Sequence, residues 1–374
     1  MSREDSANGS SRYAEMPIFT TRRLIQTVVV VFLLLGGIYF LFPKLVGLGD
    51  AMSRLGDADP VWIAIAIGFN VLAYATYIAL FKGVVGGDAL RLNWAETYQI
   101  NLAGLAATRL FSAGGAGGIA LTYWALRKAG MRRREVARRM VAFLALQYAF
   151  YPLALIVFGI LLRTGVVNGK DSLELTIIPA GVAGGLLIVG ILITLIPADV
   201  ERRLAPFAHG ERARSFLQTA AKVPATLGEG FRFALSLFAH PSRGGLAVLG
   251  AAGFWAANIG VLWASFHAFG AHVPLAAVVQ GFFLGMVANL FPFAPAGVGA
   301  VDAGMIGAFV LFGIPEETVF PAILTFRLVA FWMPIPPGMF AFFQLRQTVH
   351  RWEEEGLPID RGGRAASDLE PAVG

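Results

Sequence analysis

Apolar residues run along this chain in long blocks, with little alternation and few single-faced stripes. The blocks at 24–43, 61–81, 140–162 and 175–198 contain no charged residue, and 244–301 lacks Asp, Glu, Lys and Arg throughout. The block at 318–345 is apolar apart from Arg327. A helix needs about 20 predominantly apolar residues to cross a bilayer. Each block therefore predicts a spanning helix, and 244–301 has room for one span and more. The first block is too long for a signal-peptide core, and no A-x-A-like site follows it.

Two further stretches do not fit as single crossings. Residues 95–129 are broken by Gly114-Gly115-Ala116-Gly117-Gly118, and residues 275–313 by Pro292-Phe293-Ala294-Pro295-Ala296-Gly297-Val298-Gly299. Glycine and proline clusters end helices. Irregular backbone at membrane depth survives only where it is buried in protein or lines a wet cavity. Each stretch is expected to be a re-entrant hairpin of two half-helices meeting at a break; the alternative is two short tilted spans. The expected fold is an all-α integral membrane protein: a polytopic bundle of about six full spans plus two re-entrant broken helices.

Composition agrees. The chain is 56% hydrophobic and 14% charged, with 30 Phe, whereas soluble domains carry about 25% charged residues. An ordinary soluble enzyme and a disordered chain are both excluded. Without cysteine there is no disulfide or thiolate metal site. A sequence pI near 9.8 suggests nucleic acid, but the placement of the charges argues otherwise. With the N-terminus inside, twenty-four of the 30 Lys and Arg fall on the predicted cytoplasmic side and four outside. Arg109 and Arg327 remain at membrane depth. This is a positive-inside pattern, which also favours anionic lipid headgroups, and no nucleic-acid partner is implied. Both termini are expected in the cytoplasm of a multi-pass cell-membrane protein.

The same topology contains a repeat. Arg109-Leu110-Phe111-Ser112-Ala113-Gly114-Gly115-Ala116-Gly117 aligns with Asn289-Leu290-Phe291-Pro292-Phe293-Ala294-Pro295-Ala296-Gly297, sharing Leu, Phe, Ala and Gly. The shift also sets Gln147 opposite Arg327. The order span, span, hairpin, span occurs twice, with hairpins opening to opposite sides. That is an inverted-topology repeat, a pattern of many secondary transporters, which place substrate near the midplane where broken helices meet. The expected organisation is a tail at 1–23, a membrane domain at 24–347 with repeats at 24–163 and 175–347, and a tail at 348–374. The loop 199–243 has apolar residues near helical spacing. It reads as an amphipathic surface helix or a plain linker helix.

No enzyme constellation is apparent. The five His are scattered, and there is no Walker A sequence, no metal site and no implied cofactor. Helix N-termini at the breaks, around Gly115, Gly117, Pro295 and Gly297, could bind an anion through free N–H groups. Ionisable side chains within the bilayer are functional candidates by default. Arg327 is the anion-binding candidate; its alternative is a structural salt bridge. Asp302 is its natural partner, being the only acidic residue between Glu229 and Glu316; its alternative is a helix cap. Arg109 could instead snorkel to the interface. Gln99, Gln147, Tyr148, Tyr151, Asn258, Gln280 and Asn289 add polar groups at depth. Each could be an interhelical hydrogen bond, and together they suggest a polar path or headgroup site.

Residues Pro292 to Ala303, then Gly313-Ile314 and Leu324-Thr325-Phe326-Arg327-Leu328, resemble the C-terminal signature of the flippase-like family, the transmembrane region of lysylphosphatidylglycerol synthases. The Gly114–Gly118 break followed by Ala125-Leu126-Arg127-Lys128-Ala129-Gly130 resembles that family's first hairpin. The likeness spans roughly 20–350. Ala296 stands where the family often has Gly, Asp302 where Glu is common, and Phe326 where Tyr is frequent. The resemblance implies a non-enzymatic, flippase-like lipid transporter that moves a phospholipid or polyprenyl-type lipid with a phosphate-bearing headgroup. It also implies that synthase chemistry, which needs a soluble domain after this region, lies elsewhere. The alternative is a non-catalytic membrane subunit for an envelope enzyme.

Overall fold

The computed structural model describes residues 54–86, 92–110, 116–196, 211–287 and 299–354. The expected span 24–43, the tail 1–23, the tips of both hairpins and the end of the C-terminal tail lie outside them. Among the described residues the chain is helical. After a short 3-10 turn at Arg54–Asp57, the helices are α1 (Pro60–Val85), α2 (Trp94–Leu110), α3 (Ala116–Lys128) and α4 (Arg133–Arg163). There follow α5 (Ile177–Thr194), α6 (Glu211–Ala239), α7 (Pro241–Ala268), α8 (Leu275–Met286), α9 (Ala300–Leu311) and α10 (Glu316–Arg327). A π-helical turn at Leu328–Trp332 leads into α11 (Ile335–Glu354).

The chain is a polytopic helical membrane protein. Helices α1, α4, α5 and α7, and the composite Glu316–Glu354, are long and apolar enough to cross a membrane. They account for every expected span except 24–43. The start of α1 follows ordinary capping chemistry. Pro60 opens α1, where its missing N–H costs nothing, and the Asp59 carboxylate accepts from Val61 N at 2.8 Å. Much of the outer surface is apolar: along α5 only Ala183 is buried. In water this would be untenable; in lipid it is the expected solvent-facing surface.

The core sits where α1 meets α7. Gly83 faces Ala247 at one end of that seam, and Gly260 faces Phe69 at the other, so the two helices run antiparallel. They occupy the places that the expected repeat pairs with each other, and an inverted repeat requires this opposite direction. Small residues bring the backbones close, as expected where lipid supplies no hydrophobic drive between helices. The cross-packing is reciprocal. The first arm of the first hairpin, α2, packs on the last helix α11, where Gly338 sits against Leu102 and Ala106. The first arm of the second hairpin, α8, packs on α4, where the Tyr151 and Phe283 rings lie 5.1 Å apart.

Both broken stretches fold back on themselves. Gly104 on α2 faces Thr122 on α3, while a Cβ on Gly118 would run into the Thr108 hydroxyl and the Gly104 carbonyl. Gly285 on α8 likewise abuts Met305 and Gly304 on α9, and Gly281 abuts Phe309. Partners rise along one arm as they fall along the other, so each pair is an antiparallel hairpin. With arms of 12 to 17 residues, each is shorter than the run needed to cross.

Helix α6 forms within the predicted loop, with Gly230 seated on Val141 and the Arg138 carbonyl, and Gly228 on Ile193 and Ile196. Arg232 donates to the Thr194 and Ile196 carbonyls at 2.9 and 2.6 Å, which satisfies the C-terminal end of α5.

Candidate functional site

The ends of both hairpins that flank the breaks converge on the π-helical turn. Met333 N reaches Leu328 O at 3.0 Å in the i→i+5 pattern. Proline explains why carbonyls are left over. Pro334 has no N–H to offer Ala330 O in the i→i+4 pattern, and Pro336 has none to offer Phe331 O in the i→i+5 pattern. Those two carbonyls turn toward the first hairpin. Arg109, next to last in α2, donates from Nη1 to Phe331 O and from Nη2 to Ala330 O at 3.2 Å. Its Nη2 also donates to the Tyr74 hydroxyl at 2.8 Å, and that hydroxyl donates to Ala330 O at 2.9 Å. Arg109 thus turns toward the π-helical turn. Among the described residues its hydrogen-bond partners are all neutral oxygens.

Arg327 is held differently. Its Nε donates to Asp302 Oδ1, with 7% and 13% of the two side chains exposed. The other carboxylate oxygen, Oδ2, accepts from Gly299 N at 3.0 Å. Gly299 sits at φ +82, a conformation that glycine adopts without strain. Asp302 therefore fills both expected roles, with one oxygen capping the second arm and the other pairing with Arg327.

Between the arginines lies the buried Phe331 ring. Its centroid is 4.9 Å from Arg109 Cζ and 5.6 Å from Arg327 Cζ, within cation–π range. Two guanidiniums and one carboxylate leave the cluster with a formal charge of one positive. Arg109 has no carboxylate partner among the described residues. An isolated cation at the centre of a spanning helix costs at least about 2.5–3.5 kcal/mol on insertion scales. A phosphate diester carries the complementary single negative charge, and a guanidinium can meet it with two parallel donors.

The other predicted residues are placed as follows. Gln147 joins the rim of this cluster: its side chain meets the Tyr77 hydroxyl, and its carbonyl accepts from Trp255 Nε1 at 2.8 Å. Tyr151 belongs to an aromatic group with Trp255 and Phe283, at 4.8 and 5.1 Å. Gln99 is not brought to the breaks. It accepts from Thr348 Oγ1 at 2.8 Å on the α2–α11 seam, about 15 Å along α2 from Arg109 at helical rise. Gly117 is in the first turn of α3, but its neighbour Gly118 makes the close approach. Asn289, Gly115, Pro295 and Gly297 lie outside the described residues. Sequence reasoning missed Tyr74, Tyr77 and Phe331. The signal available for the last was the proline run Met333-Pro334-Ile335-Pro336-Pro337, which strips donors from the preceding turn.

Residues 23–338 match the lysylphosphatidylglycerol synthase TM region. The chain belongs to that family. It is also similar to two proteins of Methanothermobacter thermautotrophicus (strain Delta H), each described as a UPF0104 membrane protein. One is 22% identical over 79% of this chain and 89% of the relative. The other is 33% identical over 19% of this chain and 22% of the relative. The match to the family includes Arg109, Asp302, Arg327 and the π-helical turn. Among the described residues no group of three His, Asp or Glu could hold a metal.

Proposed function

We propose that the protein moves a phosphate-bearing lipid, a phospholipid or polyprenyl-type lipid, between leaflets of the cell membrane, with both termini cytoplasmic. The observation that carries this reading is the surplus positive charge where the ends of the two hairpins meet. Arg327 is anchored by Asp302, whereas among the described residues Arg109 donates to carbonyls and a hydroxyl and meets no carboxylate. A headgroup phosphate would complete the charge balance of Arg109 while its tails remain in lipid. The two repeats, taken as 24–163 and 175–347, would present the site alternately to each side. In this reading the chain binds and carries, and any synthase chemistry belongs to another polypeptide or domain.

The test is reconstitution into vesicles of fluorescent phosphatidylglycerol and phosphatidylcholine, followed by reductant bleaching of the outer leaflet. The wild type is expected to let bleaching proceed beyond the outer half. Arg109→Ala is expected to slow this at least about tenfold while staying folded, since one charged hydrogen-bonding group is worth roughly 1.5–3 kcal/mol. Arg109→Lys should rescue poorly, because it lacks the planar fork. Full activity in folded Arg109→Ala, or no movement of any phosphate lipid, would overturn the reading. The family membership also suggests a subunit for an envelope enzyme; a co-purifying enzyme without intrinsic lipid movement would favour that instead.

A further inference from the structure

A second cluster of arginines lies far from the breaks, where α4 begins and α6 crosses it. Arg132, Arg134, Glu135, Arg138 and Glu229 line an open pocket of about 450 Å³. Its walls are fixed. Phe233 of α6 lies under the guanidiniums of Arg138 and Arg139, at 4.9 and 5.2 Å. Buried Arg139 is tied to the Val84 and Gly86 carbonyls at 2.6 and 2.9 Å. Gly230 holds α6 against α4 at the Arg138 carbonyl.

The donors in this pocket outnumber the acceptors. Glu135 is already occupied by Arg138 and Arg139, at 2.8 and 2.6 Å, and Glu229 by Arg134. The Arg132 side chain makes no ion pair or hydrogen bond among the described residues, and Arg138 Nε is buried without an acceptor. A buried N–H left unmade is costly, so the pocket is built for an anion that it does not supply.

We propose that this pocket binds the phosphate group of an anionic phospholipid, as a holding site separate from the site at the helix breaks. The choice of a lipid over a soluble phosphate rests on the surroundings. Gly228, next to Glu229, seats on the last turn of α5, where Leu192 and Leu195 are 55% and 70% exposed. Val223, earlier on α6, is 61% exposed. These side chains offer acyl tails a surface beside the headgroup pocket. Basic pockets between helices on the cytoplasmic side are a recurrent form of lipid headgroup recognition. The proposal does not depend on transport.

The experiment uses the full chain purified in detergent, with native mass spectrometry reading bound phosphatidylglycerol and phosphatidylcholine. The wild type is expected to retain phosphatidylglycerol selectively. Each arginine near an anionic headgroup contributes about fivefold in affinity, so Arg132→Gln with Arg138→Gln should lower occupancy at least about tenfold. Arg132→Gln alone breaks no side-chain hydrogen bond or ion pair among the described residues, so its predicted loss of about fivefold separates binding from folding. Arg163→Gln, which removes one positive charge from the other end of α4, should leave occupancy unchanged. Soluble glycerol phosphate at millimolar concentration should not displace the lipid. Equal phosphatidylglycerol occupancy in wild type and Arg132→Gln would overturn the proposal. So would an equal loss in Arg163→Gln, or full displacement by soluble glycerol phosphate.

Discussion

The two hairpins share a packing solution and differ in how they treat charge. In each, glycines let the arms touch: Gly104 and Gly118 in the first, Gly281, Gly285 and Gly304 in the second. In the second, the arginine beside the hairpin meets a carboxylate, and that carboxylate also caps the second arm. In the first, the arginine is within the hairpin and, among the described residues, donates to the carbonyls of a π turn and a tyrosine and meets no carboxylate. One half is electrically closed and the other open. Packing is alike in the two hairpins while charge is not, and the proposed lipid phosphate would complete the open half.

The largest expected effect tests the closed half. Removing one member of a buried pair leaves the other uncompensated, at about 3–5 kcal/mol. Asp302→Ala should therefore lower thermal stability strongly, and Asp302→Asn combined with Arg327→Gln should recover part of the loss. Arg109→Ala strands no opposite charge, so it should cost less, about 1–3 kcal/mol for carbonyls left without donors. Thermal unfolding in detergent, read by tryptophan fluorescence, orders the three. Equal losses for Asp302→Ala and Arg109→Ala would erase the contrast between the hairpins.

Parts of this contrast were legible in the sequence. The spans were, because apolar runs of bilayer length have few other uses. The Arg327–Asp302 pair was, because Asp302 has no acidic competitor across that whole stretch. The open state of Arg109 was not. Its partners are a tyrosine 35 residues away and carbonyls 221 and 222 residues away, and carbonyls carry no sequence label. Only the missing N–H of proline hints at which ones are vacant. Gln99 misled for a related reason. A polar residue in an apolar helix announces that it has a partner without saying which, and Thr348 on another helix supplied it. The close approach at Gly118 was not legible either, because side-by-side helices select by face, which a run of glycines hides.

A middle-sized effect tests the shared half. If both hairpins close on glycine for the same reason, Gly118→Ala and Gly285→Ala should destabilise comparably, by about 1–3 kcal/mol of overpacking. Gly181→Ala on α5, where nothing lies within 4 Å, should be neutral or slightly stabilising. The same thermal assay suffices. A neutral Gly118→Ala with a destabilising Gly285→Ala would mean that only the second hairpin is tightly closed, and the repeat would fail in packing as well as in charge.

The smallest effect separates a pair at membrane depth from one at the surface. Arg134 and Glu229 join α4 to α6, but 73% of the Arg134 side chain is exposed, and such pairs are worth about 0–1 kcal/mol. The hydrogen bond from Arg134 is the main influence holding the Glu229 carboxyl below its ordinary range. A carboxyl depressed in the folded state adds stability that is present above its unfolded pKa, about 4.3, and lost as pH falls through the folded value. At pH 7 and low salt, Arg134→Gln should therefore be slightly less stable than wild type. That difference should fade as pH falls below the unfolded value and through the lower folded one, and it should shrink at high salt. The destabilisation of Asp302→Ala should persist in high salt, because no ions screen a pair buried at the hairpin. Equal salt sensitivity of the two variants would place Arg327 and Asp302 in contact with water, and the closed half of the molecule would be closed no longer.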